Sequence, residues 1–378
     1  MFPLTNRWAV LALLFFARAS MAMQFQSVPP IVPFLLKELG INYAQAGLLI
    51  GLFMTAGIFL ALPGGLLGQR LGGRALLLAG LAAMTAGAVL FGSATGFPPA
   101  FAGRLLGGIG VALLNVQTTK ITAEWFGEKE ISTAMGILLT AWPLGIALAL
   151  STLGFVAEAY SWRAAIHITA AFSGSALLLI GLLYRDRPAP AAQSAPAGHA
   201  PLWAISRREL GLVLTAGMAW LLPNAGFIIF LSFTPVLLAA GGMPFSQAVF
   251  TTGLVSWISL ASVPLGGWLA DRSGRVNLAV VVSFALCAGA VWSLPLGGSV
   301  LPAVATFGIA LGGWPGAIMG LPAQALSPAG RGTGFGLFYT VYYVGMAILP
   351  PFAGWLHDAT RGAAAPVLLA GGLLISPV

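Results

Sequence analysis

Apolar residues run through this chain in blocks of about twenty, separated by short glycine-rich or polar intervals. About 20 apolar residues in a helix cross the ~30 Å hydrocarbon core of a bilayer. Blocks of that length fall at 8–33, 44–67, 74–95, 98–121, 131–154 and 163–184, then at 209–238, 246–270, 276–298, 300–324, 331–356 and 363–378. The two sets are separated by the longest polar stretch, Arg185 to Glu209, whose Pro/Ala-rich composition reads as a semi-extended linker. The pattern predicts an all-α membrane protein of twelve transmembrane helices in two six-helix bundles, residues 1–184 and 209–378, with a linker at 185–208. The last block has about sixteen residues, so that helix is short or truncated.

Composition agrees with the pattern and removes other classes. Residues of the AVILMFWYC set make up 58% of the chain and charged residues only 7%, against about 25% charged in a soluble domain. A water-soluble globule and a disordered chain are both excluded. The 50 glycines show no three-residue period, which excludes collagen. Cys287 has no second cysteine to pair with, and His167, His199 and His357 make no zinc spacing, so no metal and no cofactor is expected. The N-terminal apolar run continues from Trp8 to Val28 without a small-residue cleavage site, unlike a cleavable signal peptide.

The formal charge of +8 reads as topology. Arg7, Arg70, Arg74, Lys129, Arg185, Arg187, Arg207, Arg208, Arg272, Arg275 and Arg331 share one face, leaving Lys37, Arg163 and Arg361 on the other. The first face is cytoplasmic by the positive-inside rule, with both termini and the linker on it. The basic residues stand singly, without a binding motif, and imply no nucleic-acid partner. Gly108-x-Gly110 and Gly332-x-Gly334 do not complete a dinucleotide fingerprint, and no zincin, nucleophile-elbow or Walker motif is present. An enzyme is not expected.

The chain carries an internal repeat. GGLLGQRLGGR, from Gly64 to Arg74, is echoed 202 positions later by GGWLADRSGR, from Gly266 to Arg275. Gly136, Gly145, Gly154 and Glu158 align at an offset of 200 with Gly336, Gly345, Gly354 and Asp358. Parallel six-helix halves are one of the transporter architectures. These residues resemble the major facilitator superfamily over essentially the whole chain. Its loop signature is matched by Gly267, Leu269, Ala270, Asp271, Arg272 and Gly274, and in the first half by Gly65, Leu67, Arg70, Gly72 and Arg74, with Gln69 in place of the aspartate. Its fourth-helix signature is met by Arg104, Gly108, Gly110 and Ala112; Trp125-Phe126 and Trp162-Arg163 also look like the family. The resemblance implies alternating access and a cytoplasmic latch in which Arg70, Arg74, Asp271 and Arg272 take part. A neutral Gln69 cannot form the family's ion pair.

Charges inside spans are functional candidates. Arg18 stands about ten residues into the first block, ~15 Å deep and near the midplane. Arg104 lies a turn or two inside the fourth span and His167 one turn into the sixth; both are candidates for coupling. All nine acids fall in loops or at helix ends. The charge at mid-membrane is therefore positive, and an arginine fork matches a carboxylate or oxyanion. The polar and aromatic residues offered to the same cavity are Gln24, Gln26, Asn115, Gln117, Trp142, Asn224, Trp257, Trp314, Tyr339, Tyr342 and Tyr343. The expected function is a secondary transporter of a small anion in a bacterial inner membrane, loosely similar to the cyanate/nitrate-type and oxalate- or monocarboxylate-type porters. It would act as a monomer, with protons or a second anion as the coupled species. The nearest rival is a multidrug or metabolite exporter, consistent with the aromatic walls but not with Thr140-Ala141-Trp142-Pro143-Leu144-Gly145, where the antiporter signature should stand.

Overall fold

Hydrocarbon offers the backbone no water, so each apolar block must satisfy its own N–H and C=O groups, and each forms helix. The structure is a computed structural model that describes residues 6–126, 130–186, 206–319, 321, 326 and 331–376, with the side chains at 61–71, 132, 271 and 331–333 outside that description. In chain order the helices are α1 (Arg7–Phe25), α2 (Val32–Leu39), α3 (Tyr43–Leu71), α4 (Gly73–Gly92), α5 (Phe97–Trp125), α6 (Ile131–Ala159) and α7 (Trp162–Leu183). The second half continues with α8 (Arg207–Ala240), α9 (Phe245–Ser273), α10 (Val276–Ser293), α11 (Val300–Ala310), α12 (Pro315–Met319), α13 (Arg331–Thr360) and α14 (Ala364–Ile375). Among the described residues, 11 spans are long and apolar enough to cross a membrane, and α14 is a shorter apolar helix. The chain is a multi-pass membrane protein. The face where α1 begins is called the near face below, and the opposite one the far face.

Two spans differ from the sequence pattern. The first block was expected to be one helix to residue 33, but α1 stops at Phe25 and the chain turns through Pro29–Ile31 into the short α2. Pro29 and Pro30 have no N–H to continue the ladder, and Asn42 then starts α3 with a capping box, its side chain accepting from Gln45 N at 2.9 Å. The tenth span is α11, a 3-10 turn at Leu311–Gly313, and α12. Gly312 and Gly266 cause this break. A Cβ on Gly312 would overlap the Ser262 carbonyl, and one on Gly266 would overlap the Gly312 carbonyl, so α9 and the turn meet backbone to backbone. Ser262 Oγ donates to Gly308 O at 2.6 Å, taking up a carbonyl released where the helix unwinds.

The halves are helical bundles whose seams are lined by small residues, the usual solution where lipid and side chains are equally apolar. Gly145 of α6 lies so close to α1 that a Cβ would overlap the Ala19 carbonyl and come within 2.9 Å of Met23 N. Large apolar side chains such as Phe59, Leu139, Leu178, Leu265 and Trp268 are exposed, which suits a surface facing lipid. At the far face Glu38, in the last turn of α2, accepts from Trp162 Nε1 at 2.9 Å and from Arg163, whose guanidinium also reaches Ala94 O at 3.2 Å. The Arg163 and Trp162 hydrogen bonds hold the Glu38 carboxyl below the ordinary glutamate range.

Two expectations follow from the packing. Gly145→Ala should lower the unfolding temperature in detergent, by roughly 1–3 kcal/mol of overpacking, while Gly136→Ala, with nothing within 4 Å of its Cβ position, should not. Equal melting of the two would contradict the α1–α6 contact. Because the folded Glu38 carboxyl has the lower pKa, its contribution is complete above the ordinary carboxylate range and is lost as pH falls through the folded value. Glu38→Gln should therefore narrow its stability deficit as the melting series is taken below that range.

Candidate binding site between the halves

Arg18 follows Arg7 by 11 positions along α1, about 16 Å of helix rise, and its side chain is 8% exposed. Its one hydrogen bond among the described residues is from Nη1 to Thr118 Oγ1 of α5, at 3.5 Å, the outer limit of such a bond. Its Nε has no hydrogen-bond partner there. Across from it, α13 of the second half brings the phenols of Tyr339 and Tyr343 into electrostatic range of the guanidinium. Asn115 of α5 reaches the Tyr343 hydroxyl, and the Tyr343 ring lies 2.8 Å from where a Cβ on Gly57 of α3 would stand. Arg18, Asn115, Tyr339 and Tyr343, all expected at the site from sequence, therefore converge, and they come from both halves.

No described carboxylate answers this cation. Glu38 is held by Trp162 and Arg163, Glu124 by Lys120 at 3.6 Å, and Glu130 by Arg7 at 2.8 Å. Glu158, Asp186, Glu209 and Asp358 accept from backbone N–H groups at helix starts. All of them sit at helix ends, far along the axis from Arg18. A buried ionised group needs a partner of opposite charge or a full set of hydrogen bonds. Arg18 has neither.

Arg104 is the contrast. It is 2% exposed, and its Nε, Nη1 and Nη2 donate to the carbonyls of Leu49 (2.8 Å), Gln24 (2.8 Å) and Phe25 (3.2 Å), with the guanidinium carbon 4.2 Å from the Phe53 ring centroid. These carbonyls lie at the end of α1 and in α3, so Arg104 clamps three helices. Gln24 belongs to the same clamp: its Nε2 donates to Ser173 Oγ at 2.8 Å and to Thr169 O at 3.3 Å of α7. Arg74 serves the near face, its N donating to Asp186 Oδ1 at 2.9 Å and its Nη2 to Gly181 O at 2.6 Å.

The other expected residues lie apart from Arg18. Gln26 is fully buried at the end of α1 with both amide atoms unpartnered among the described residues. Trp142 packs on Phe25 with ring centroids 5.4 Å apart, and Asn224 donates to Trp220 O within α8 at 2.8 Å. Trp257 donates to Ser151 Oγ at 2.9 Å across the α6–α9 seam. His167 is exposed, its ring against Gly92 on the flank of the first half. Arg272 is exposed and lies over Trp268, 5.4 Å from the ring centroid. The side chains of Arg70 and Asp271 lie outside the described residues.

Two contributors escaped the sequence reading. Thr118, the hydrogen-bond partner of Arg18, stands three positions after Asn115 and so on its face of α5. Trp220 stands one turn before Asn224 and collects an aromatic wall, its ring centroid 5.7 Å from Trp314, 6.3 Å from Phe338 and 6.5 Å from Tyr342. That helical spacing was the available signal in both cases.

Comparison with known proteins gives this arrangement a family. The Major Facilitator Superfamily model matches residues 14–350. Similar curated proteins include rat monocarboxylate transporter 12, 26% identical over 343 residues, covering 79% of this chain and 69% of the relative. The 3-(3-hydroxy-phenyl)propionate transporter of Escherichia coli is 25% identical, covering 86% and 83%, and the multidrug efflux protein YfmO of Bacillus subtilis is 24% identical, covering 93% and 86%. The inward-open xylose transporter XylE of E. coli superposes with a TM-score of 0.82 at 13% identity, covering 98% of this chain and 94% of that one. This last likeness is one of fold.

The Arg104 clamp is testable on its own. Arg104→Gln should leave buried carbonyls unpaired and lower the melting temperature, at about 1–3 kcal/mol for each orphaned group. Arg104→Lys should not rescue it, because an ammonium cannot span three carbonyls. A variant that melts like the wild type yet loses its response to ligand would move Arg104 from clamp to transport residue.

Proposed function

The chain belongs to the Major Facilitator Superfamily, and from that premise we propose that it is a secondary active transporter of a small organic anion, with a carboxylate as the charged group. The observation that carries this reading is Arg18, a buried cation with one long hydrogen bond and no carboxylate partner among the described residues. An arginine keeps its proton at any physiological pH, so it cannot avoid the cost of burial by becoming neutral. A substrate carboxylate placed against its fork supplies the missing charge and fills the free donors. Two of the relatives described above are named for carboxylate cargo.

Transport proceeds by alternating access, the two bundles, bounded near 184 and 209, rocking about the bound anion. The site suits that motion because α1 and α5 supply Arg18, Thr118 and Asn115, while α13 of the other half supplies Tyr339 and Tyr343. An anion on Arg18 that also accepts from the tyrosines ties the halves together. The described acids lie at helix ends, so the coupled species is a second anion or a proton carried on the substrate. The membrane is a bacterial inner membrane, with the near face and both termini cytoplasmic, and the working unit is a monomer. A second reading is efflux of apolar compounds. It draws on the aromatic wall of Trp220, Trp314, Phe338 and Tyr342, and on the resemblance to YfmO.

Thermal unfolding of purified protein against a panel of small carboxylates and, separately, lipophilic cations separates the two. One carboxylate class should stabilise the wild type by about 2.7 kcal/mol at 100 times its dissociation constant. Arg18→Gln should abolish that response while raising the melting temperature without ligand, since it removes an uncompensated buried charge. Stabilisation by lipophilic cations, undiminished in Arg18→Gln, would favour efflux and sink the anion reading.

A further inference from the structure

Glu158 and Asp358, 200 positions apart, hold equivalent places in the last turn of the fifth spanning helix of each half, α6 and α13. By local rules both are misplaced. The C-terminal end of a helix carries partial negative charge, and an acid there is unfavourable. The structure shows what each acid is matched to. Glu158 Oε1 accepts from Ser246 N, the second residue of α9, at 3.0 Å. Asp358 accepts from the first two residues of α3, Oδ1 from Tyr43 N at 3.3 Å and Oδ2 from Ala44 N at 2.9 Å.

Both contacts cross between the halves, and both join the fifth spanning helix of one half to the second spanning helix of the other, at the far face. With Asn42 taking Gln45 N, the first three N–H groups of α3 all have acceptors, two of them supplied by the opposite half. No lysine or arginine among the described residues forms an ion pair with either acid; the His357 Nδ1 lies 3.9 Å from Asp358 Oδ1 and carries charge only when protonated. Each carboxylate is therefore matched chiefly by a helix N-terminus, which favours negative charge.

The same seam is where the backbones of the halves touch. A Cβ on Gly354 would overlap the Tyr43 carbonyl, one on Gly47 the Pro350 carbonyl, and one on Gly51 would come within 2.8 Å of Ala347 O. Gly154 lies 3.4 Å from Ser246 Cα by the same measure. A cavity of about 340 Å³, lined by Tyr43, His357 and Arg361 among others, flanks the Asp358 contact and leaves room for that arm to separate.

We propose that Glu158 and Asp358 are paired gating residues, a two-armed latch that holds the far face closed and must release both arms before that face opens. The inference rests on the rocking-bundle reading given under Proposed function. When the latch releases, each acid is left at the end of its own helix without the opposing N-terminus, so the open state is penalised twice. Neither arm is a salt bridge, so each is weak enough to reverse in every cycle.

The test uses the full chain in a Cys287→Ser background, with spin labels at Tyr160→Cys and Leu296→Cys. These far-face positions are 82% and 83% exposed and lie on opposite halves. Pulsed dipolar distances in nanodiscs should show a short population in the wild type. Glu158→Ala and Asp358→Ala should each raise the ratio of long to short distances by about two- to thirtyfold, and the double variant by about the product. Should the alanine variants fail to fold, the amides carry the test. Asp358→Asn should open the face more than Glu158→Gln, because it sets an amide N–H₂ against a backbone N–H, whereas Glu158 uses one oxygen that glutamine retains. If a small carboxylate shifts the wild-type distances but the double variant matches the wild type, the latch is wrong and the rocking reading stands. A single distance, unmoved by any ligand or variant, would overturn both.

Discussion

A guanidinium cannot shed its proton to escape hydrocarbon, and this chain buries two among its described residues. Everything around Arg104 is arranged to satisfy it. The end of α1, the second turn of α3 and the start of α5 are brought together by three carbonyls that accept from one side chain, and Phe53 covers its face. Around Arg18 nothing comparable has been built. The two residues are of one type at similar burial, and their surroundings differ: one is fully hydrogen-bonded, and the other has donors left over among the described residues. That difference also bears on the geometry of the halves. The partners of Arg104 all lie in the first half, whereas the groups facing Arg18 are divided between α5 and α13, so the surroundings of Arg18 span both halves.

The helical content, the six-plus-six order and the placement of the described acids at helix ends were legible in the sequence, because length of apolar run and sign of charge are one-dimensional properties. Breaks inside runs were less so. Pro29-Pro30 ended α1 early, and the Gly312 turn divided the tenth span, because its cause lies in Gly266 and Ser262 on another helix. The site was legible in part. Arg18 stood out by depth alone, and Asn115, Tyr339 and Tyr343 by polarity, but polarity could not distinguish them from Gln24, which faces α7, or from Asn224, which bonds its own helix. Thr118 and Trp220 needed the face of the helix as well as its composition.

Local irregularities in this fold coincide with places where helices must bend or part. Pro143, Pro223, Pro235, Pro264, Pro350 and Pro351 lie inside spanning helices and each removes a backbone donor. Trp314 lies in the unwound part of the tenth span, its ring against both Trp220 and Phe284. The aromatic wall is thereby attached to the least regular stretch of the second half, so a change in that turn would move the wall relative to α8.

The far-face contacts are also isologous. Residue 158 meets 246 and residue 358 meets 44, so adding 200 to the first and subtracting 202 from the second, the two offsets of the repeat, turns one contact into the other. An interface in which patch i meets j and patch j meets i is the signature of two-fold symmetry between identical subunits. Two copies of either half, as separate polypeptides in the same orientation, would already possess the groups needed to close on each other as a two-fold dimer. The closing contact is specified by one short pattern written twice: an acid at the end of one helix and the first backbone N–H groups of another.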